Sequence, residues 1–419
     1  MKRPSLSVQI VAGLAAGLGL GIAAAASGSP ALLRIATGVE PAGTVWVNLI
    51  RMVVIPLVAG AVVTSVAGLG DVGRLGRLGA RAIGFFLASG AAAIAIGLVL
   101  AALVLPLAPV SDAAAAGLRS AAAAGAADLG QSVRSLPGFA QFVVGLVPAN
   151  PFKAAADGAL LPVIVFALLF GAAAAHLDDR RRRLITDLAD AVVAALVRMI
   201  GWAMLLAPFG VACLAAPVGA RLGWETLASL GLFVALVAGG CLVFSALVLG
   251  PVVRALVRLP LGRFIRAVAP AWVVGFTTTS SMAALPAMIE AAQDDLGVSA
   301  PVAGFTVPLA ATLNRPGSAL YQAVAAVFVA QLYGVHLGPA QFAALAGTML
   351  VLTFSVPAMP RSSVLSLAPA LLSAGVPLDG LGLLVGVDQV PDMFRTATNV
   401  AGHVTAAAVL ARGEGETLR

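Results

Sequence analysis

The chain has 419 residues, of which 60% are hydrophobic and only 10% charged, and its mean hydropathy is +1.04. A water-soluble chain carries about 25% charged residues, so this one has too few to cover a water-facing surface, and the bilayer is its solvent. The formal net charge of +7 raises the idea of a nucleic-acid partner, but the placement of the charges argues against it.

Apolar stretches of about 20 residues, long enough to span, fall near 6–27, 44–69, 80–108, 139–176, 184–217, 226–257, 302–333 and 381–411. The first follows Lys2 and Arg3 as a signal peptide would, yet it runs on without a clear cleavage site and reads as a spanning helix. Arg74, Arg77 and Arg81 follow the second stretch, Arg180 to Arg183 the fourth, and Arg254, Arg258, Arg263 and Arg266 the sixth. With Lys2, Arg3, Arg412 and Arg419 these make 15 of the 25 basic residues, at every second connection. That is the positive-inside pattern of an even number of crossings, with both termini cytoplasmic in a bacterial inner membrane. The Ala-, Gly- and Ser-rich stretch 108–137, with Asp112, Arg119, Asp128 and Arg134, reads as an external connection. Cys213 and Cys241 sit in apolar runs, and the spacing suggests neither a disulfide framework nor a metal cluster.

Two further apolar segments do not read as spans. Residues 264–295 are interrupted by Thr277-Thr278-Thr279-Ser280-Ser281, and 340–376 by a run from Ser355 to Ser363 that holds Pro357, Met359, Pro360 and Arg361. Each half is too short to cross alone, so a helix, a polar tip and a returning helix are expected, covered by protein or a water-filled cavity. The basic clusters place the first tip on the cytoplasmic side and the second outside, which is an inverted repeat with a binding site near mid-membrane.

The last stretch carries Asp388, Asp392, Arg395, Thr396, Asn399 and His403 at helical spacing on one face. Ionisable groups inside a membrane helix are costly and face a cavity or one another. They suit a zwitterion with two carboxylates: Asp392 for the ammonium, Arg395 for one carboxylate, Asn399 for the other. Hydroxyls and amides of the 277–281 tip, Thr279, Ser280 and Ser281 among them, complete the shell at a half-helix N-terminus. The seventh stretch contains Asn314-Arg315-Pro316-Gly317-Ser318, where proline and glycine break the helix and free its carbonyls.

These residues resemble the dicarboxylate/amino acid:cation symporter family, the glutamate transporter homologues. The likeness is carried by NPFKAAADGALLPVIVFALLFG (150–171), APFG (207–210), FTTTSSMAALP (276–286) and DQVPDMFRTATNVAG (388–402), with 51–79 and 308–331 in support. It implies an all-α polytopic fold of eight spans and two re-entrant hairpins, assembled as a homotrimer. It implies a scaffold of 1–79 and 109–217, a moving transport domain of 80–108 and 218–411, and a tail of 412–419. It implies substrate contacts at Thr279, Ser280, Ser281, Thr312, Arg361, Asp392, Arg395, Thr396 and Asn399. Asp392 favours an amino acid over a plain dicarboxylate, and Arg395 an acidic side chain over a neutral one.

The departures bear on the coupling ion. Where the family has Asn-Met-Asp-Gly-Thr this chain has Asn314-Arg315-Pro316-Gly317-Ser318, and where the last motif ends in aspartate it has His403. Phe86, Ser89 and Gly90 stand where a third-span sodium site supplies hydroxyls. Losing two carboxylates degrades the sodium sites, and no other cofactor is expected. Asn314, Arg315, Asp388 and His403 are the candidate cation-surrogate set: Arg315 pairs with Asp388, His403 titrates, and transport is proton-coupled or uncoupled. A dicarboxylate or neutral amino acid carrier, a sodium-coupled carrier and an anion channel remain alternatives. An enzyme does not fit, since Asp388 and Asp392 share one helix face beside an arginine.

Overall fold

A computed structural model of the chain describes residues 6–69, 72–107, 139–229, 231–355, 362–378, 380–381, 384 and 388–419. The expected connection over 108–137, the Lys2-Arg3 start and Arg361 with its hairpin tip lie outside the described residues. Every described element is helical. Inside a bilayer this is the local solution that satisfies each backbone N–H and C=O within one segment.

The chain opens with α1 (Leu6–Ser27), α2 (Pro30–Gly38), α3 (Glu40–Leu69) and α4 (Val72–Val104). The fourth predicted span is instead three pieces, α5 (Phe139–Gly145), α6 (Pro151–Ala156) and α7 (Leu160–Ala175). The cause is local: Asn150 caps α6 by accepting from the amides of Phe152 and Lys153, and Gly158 at φ +72° ends it.

The fifth predicted span is also broken, into α8 (Asp179–Leu205) and α9 (Ala207–Ser229), and α9 absorbs the first residues assigned to the sixth. Pro208 cannot donate at the junction. Trp46 of α3 uses the gap: its Nε1 donates to Ala203 O at 3.0 Å, and its ring lies so close to Gly210 that a Cβ there would sit 2.2 Å from it. α9 packs along α1, and α3 along α7 and α8.

The second half holds α10 (Gly231–Val257), two hairpins, the broken seventh span and the last span. The first hairpin is α11 (Leu261–Thr278) and α12 (Ser281–Glu290), joined at Thr279 in the left-handed region at φ +49°. The expected break in the seventh span falls between α13 (Ala300–Leu313) and α14 (Pro316–Leu332). The second hairpin descends as α15 (Pro339–Ser355) and returns as the short α16 (Ser362–Leu365) and α17 (Ala368–Ser373). α18 (Gln389–Gly413) begins later than the predicted 381, with Pro391 in its first turn, where its missing N–H costs nothing.

α18 is the central post, packed by α10, α11, α12, α13 and α14. The chain's end does not dangle from it. Glu416 accepts from the Ser299 amide at 2.9 Å and from the Ser299 hydroxyl at the start of α13, and Arg412 donates to Val257 O at 2.8 Å. The Arg419 amide reaches Leu296 O at 3.1 Å, and Arg81 of α4 pairs with Glu414 at 2.9 Å. The 412–419 tail is therefore a clasp over the ends of three elements rather than a free extension. Large apolar side chains such as Leu184, Leu188 and Trp202 of α8 stay exposed, as a lipid-facing or protein-facing surface requires in a multi-pass membrane protein.

Candidate functional site

The first turns of α18 concentrate the charge. Arg395, 3% exposed, donates from Nη1 and Nη2 to the two carboxylate oxygens of Asp388 at 2.7 and 3.0 Å, and from Nε to Asp392 Oδ1 at 2.7 Å. Asp388 lies one residue ahead of the helix and Asp392 one turn on, so both carboxylates reach one fork. Thr396 donates to the same Asp392 oxygen at 2.9 Å. The guanidinium also stacks on Tyr321 of α14, 4.6 Å from the ring centroid. A buried cation with a single partner would be unstable; two carboxylates and a ring hold this one in a single orientation.

The break in the seventh span packs directly on this region. Asn399 Oδ1 accepts from the amides of Gly317 at 2.8 Å and Ser318 at 3.4 Å, and its Nδ2 donates to Ser318 Oγ at 3.2 Å. The first amides of α14 thus find an acceptor on α18 rather than in water. Gly317 is required here, since a Cβ would lie 2.2 Å from Arg395 O. Asn314 donates to Gly402 O at 3.1 Å, and His403 Nε2 donates to Asn314 O at 2.7 Å. Because a carbonyl only accepts, Nε2 carries the hydrogen. His403 Nδ1 and Asn314 Oδ1 are buried with no hydrogen-bond partner among the described residues.

The first hairpin meets the same post. Phe276 and Phe394 pack edge to face at 5.2 Å, and Gly275 lies against Thr396 and Val400. At the tip, Thr279 donates to Thr278 O, Ser280 caps α12 by accepting from the Ala283 amide at 3.3 Å, and Ser281 opens that helix half-buried. Thr312 is buried and spends its hydroxyl on Pro308 O at 3.0 Å, one helical turn back.

Two expectations need adjusting. The proposed Arg315–Asp388 pair is not what forms: Asp388 is engaged bidentately by Arg395, while Arg315 Nη2 donates to Ser363 Oγ at 3.0 Å. Asn399 serves the backbone of α14, so the amide face counted on for a carboxylate is already in use. Tyr321, Gln322 and Ser366, which the sequence reading does not single out, join Ser363 of the second interrupted segment here. Gln322 Nε2 donates to Ser363 O at 3.0 Å and Ser366 Oγ at 2.6 Å. The signal was present, because Tyr321 is one of only two tyrosines and Gln322 an amide inside an apolar run.

Residues 6–413 match the profile of the sodium:dicarboxylate symporter family. The chain belongs to this family. It is 34% identical to a proton/glutamate-aspartate symporter of Escherichia coli K12 over 90% of this chain and 85% of the relative. It is 30% identical to a proton/sodium-glutamate symport protein of Geobacillus stearothermophilus over 99% and 96% of the two chains. It is 34% identical to a C4-dicarboxylate transport protein of Anaeromyxobacter sp. strain K over 91% and 86%.

The family's name raises sodium, and the donors around the broken span do not fit it among the described residues. A hard cation wants several oxygens with carboxylates among them. Here the Asn314 carbonyl is occupied by an N–H, Pro316 offers no side-chain donor, and the neighbouring Arg315 is itself a cation. The two nearby carboxylates, Asp388 and Asp392, are held by Arg395. Ser89 on α4 keeps a buried hydroxyl without a partner among the described residues, but Phe86 beside it is buried hydrocarbon.

Proposed function

We propose that this symporter-family protein is a secondary carrier of aspartate or glutamate that works without sodium. The observation that carries the reading is the buried Asp388–Arg395–Asp392 constellation with Thr396 on α18. An incoming carboxylate takes the Nε side of Arg395, and Asp392, released from it, accepts the substrate ammonium, while Asp388 keeps its two bonds to the guanidinium. The Asp392–Arg395 pair is thereby exchanged for a substrate carboxylate–Arg395 pair and an Asp392–ammonium pair. A plain dicarboxylate would leave Asp392 without its ammonium. The lost oxygen donors at Pro316 and His403 support sodium independence, with a proton or no ion as partner.

The movement is of the elevator type: α4, α10, the hairpins, α13, α14 and α18 travel as one body past a trimeric scaffold of the remaining helices. Hinged between inner and outer hairpins, the site faces one side at a time. Both termini lie in the cytoplasm of a bacterial cell.

The test is uptake of labelled aspartate into vesicles holding the purified protein, with sodium, potassium or choline outside, in mildly acid and mildly alkaline buffer. Saturable uptake that is equal in the three salts is expected. A strict sodium requirement sinks the ion claim, preferred uptake of succinate sinks the amino-acid claim, and unsaturable current marks a channel.

A further inference from the structure

The return arm of the second hairpin is tied to the broken span by groups that substrate recognition does not use. Arg315 stands in the unwound step just before α14, and its Nη2 donates to Ser363 Oγ at 3.0 Å, with Ser363 only 2% exposed. Gln322 lies seven residues on, about two turns along the same helix face. It donates to the Ser363 carbonyl and to Ser366 Oγ, at 3.0 and 2.6 Å. Two points, one just ahead of α14 and one in its second turn, therefore grip the same short piece of chain.

That piece has little order of its own. α16 is four residues long, Ser362–Leu365, and one turn of helix is not self-supporting in isolation. Its placement depends on what it is tied to. Of the two ties, the guanidinium is the charged one. It is also permanent, since arginine does not lose its proton in proteins.

We propose that Arg315 is a latch: through Ser363 it holds the return arm of the second hairpin against the broken span. The placement of that arm is then set by a cation built into the chain and not by one drawn from solution. Arg315 is a positioning residue. Parting it from Ser363 loosens the arm, with the Gln322 bonds still in place. The arm is therefore held equally well whatever salt surrounds it.

Backbone hydrogen exchange on the full chain in detergent, without substrate, tests this. Wild type is compared with Ser363→Ala, which keeps the positive charge and removes the Ser363 hydroxyl, and with Arg315→Met. Both variants should exchange about tenfold faster over 362–373 and unchanged over 281–290, while replacing choline with sodium should leave the wild-type rates alone. Wild-type rates in both variants overturn the latch. So does a sodium-induced slowing of 362–373 in the wild type, which would assign the arm's placement to a bound ion. Calorimetry of aspartate on the wild type is run beside it: no binding removes the carrier reading, yet leaves the exchange result to stand or fall by itself.

Discussion

Arg395 shows how one residue can be legible in kind and not in partner. Its spacing from Asp392 announced a shared helix face, and the structure keeps that contact at 2.7 Å. The bidentate pair with Asp388, seven residues back, depends on Asp388 standing just outside the helix, which spacing alone does not reveal. Arg395→Lys keeps the charge but loses the fork. Hydrogen bonds to charged groups contribute about 1.5–3 kcal/mol each, so aspartate affinity by calorimetry should fall at least about tenfold; unchanged affinity would remove Arg395 from the site. His403 is a candidate titrating group, and in the structure its Nε2–H is aimed at the Asn314 carbonyl. His403→Gln can supply that donor and should sustain uptake with an unaltered pH profile. His403→Ala leaves the buried carbonyl unpaired and should destabilise the protein by about 1–3 kcal/mol. A flattened pH profile in His403→Gln would restore the imidazole as the proton carrier.

The elements were legible where proline, glycine and hydroxyls mark them. The breaks at Thr279 and at Asn314–Arg315 fall where those residues put them, because each removes or diverts a backbone hydrogen bond. The junction at Leu206 was missed: APFG reads as one more apolar turn until Trp46 arrives from a distant helix to take the Ala203 carbonyl. Trp46→Phe should keep the ring on Gly210 and lose about 1 kcal/mol with the hydrogen bond. Gly317→Ala should cost about 1–3 kcal/mol by overpacking against Arg395 O, since backbone cannot yield as a flexible side chain does. Gly402, whose added Cβ would meet Pro316 at 3.1 Å, should tolerate alanine better. Melting in detergent ranks the three, and a Gly317→Ala protein as stable as Gly402→Ala would contradict the close approach. The C-terminal clasp is a similar case. Removing residues after Gly413 frees the start of α13 from Glu416, and should raise hydrogen exchange over 291–300 while leaving α1 and α9 unchanged.

At the scale of the molecule, the proposed trimer is tested by native mass spectrometry from lipid nanodiscs, where a three-chain assembly is expected and a stable single chain would refute it. Exposed leucines and a tryptophan on α8 are the surface such an assembly or lipid must cover. The sequence by itself determined the solvent, the helical class and the existence of broken segments, because hydropathy, charge placement and proline chemistry act over one or two turns and need no partner. It also marked α18 as the chemical helix, since charge within an apolar span stands out wherever it occurs. Only the tertiary structure decided which acid holds Arg395, which carbonyl His403 takes and what Arg315 grips. Those pairings join residues as far apart as 48 and 89 positions, and helix packing alone sets which of many equally suitable partners comes within hydrogen-bond reach.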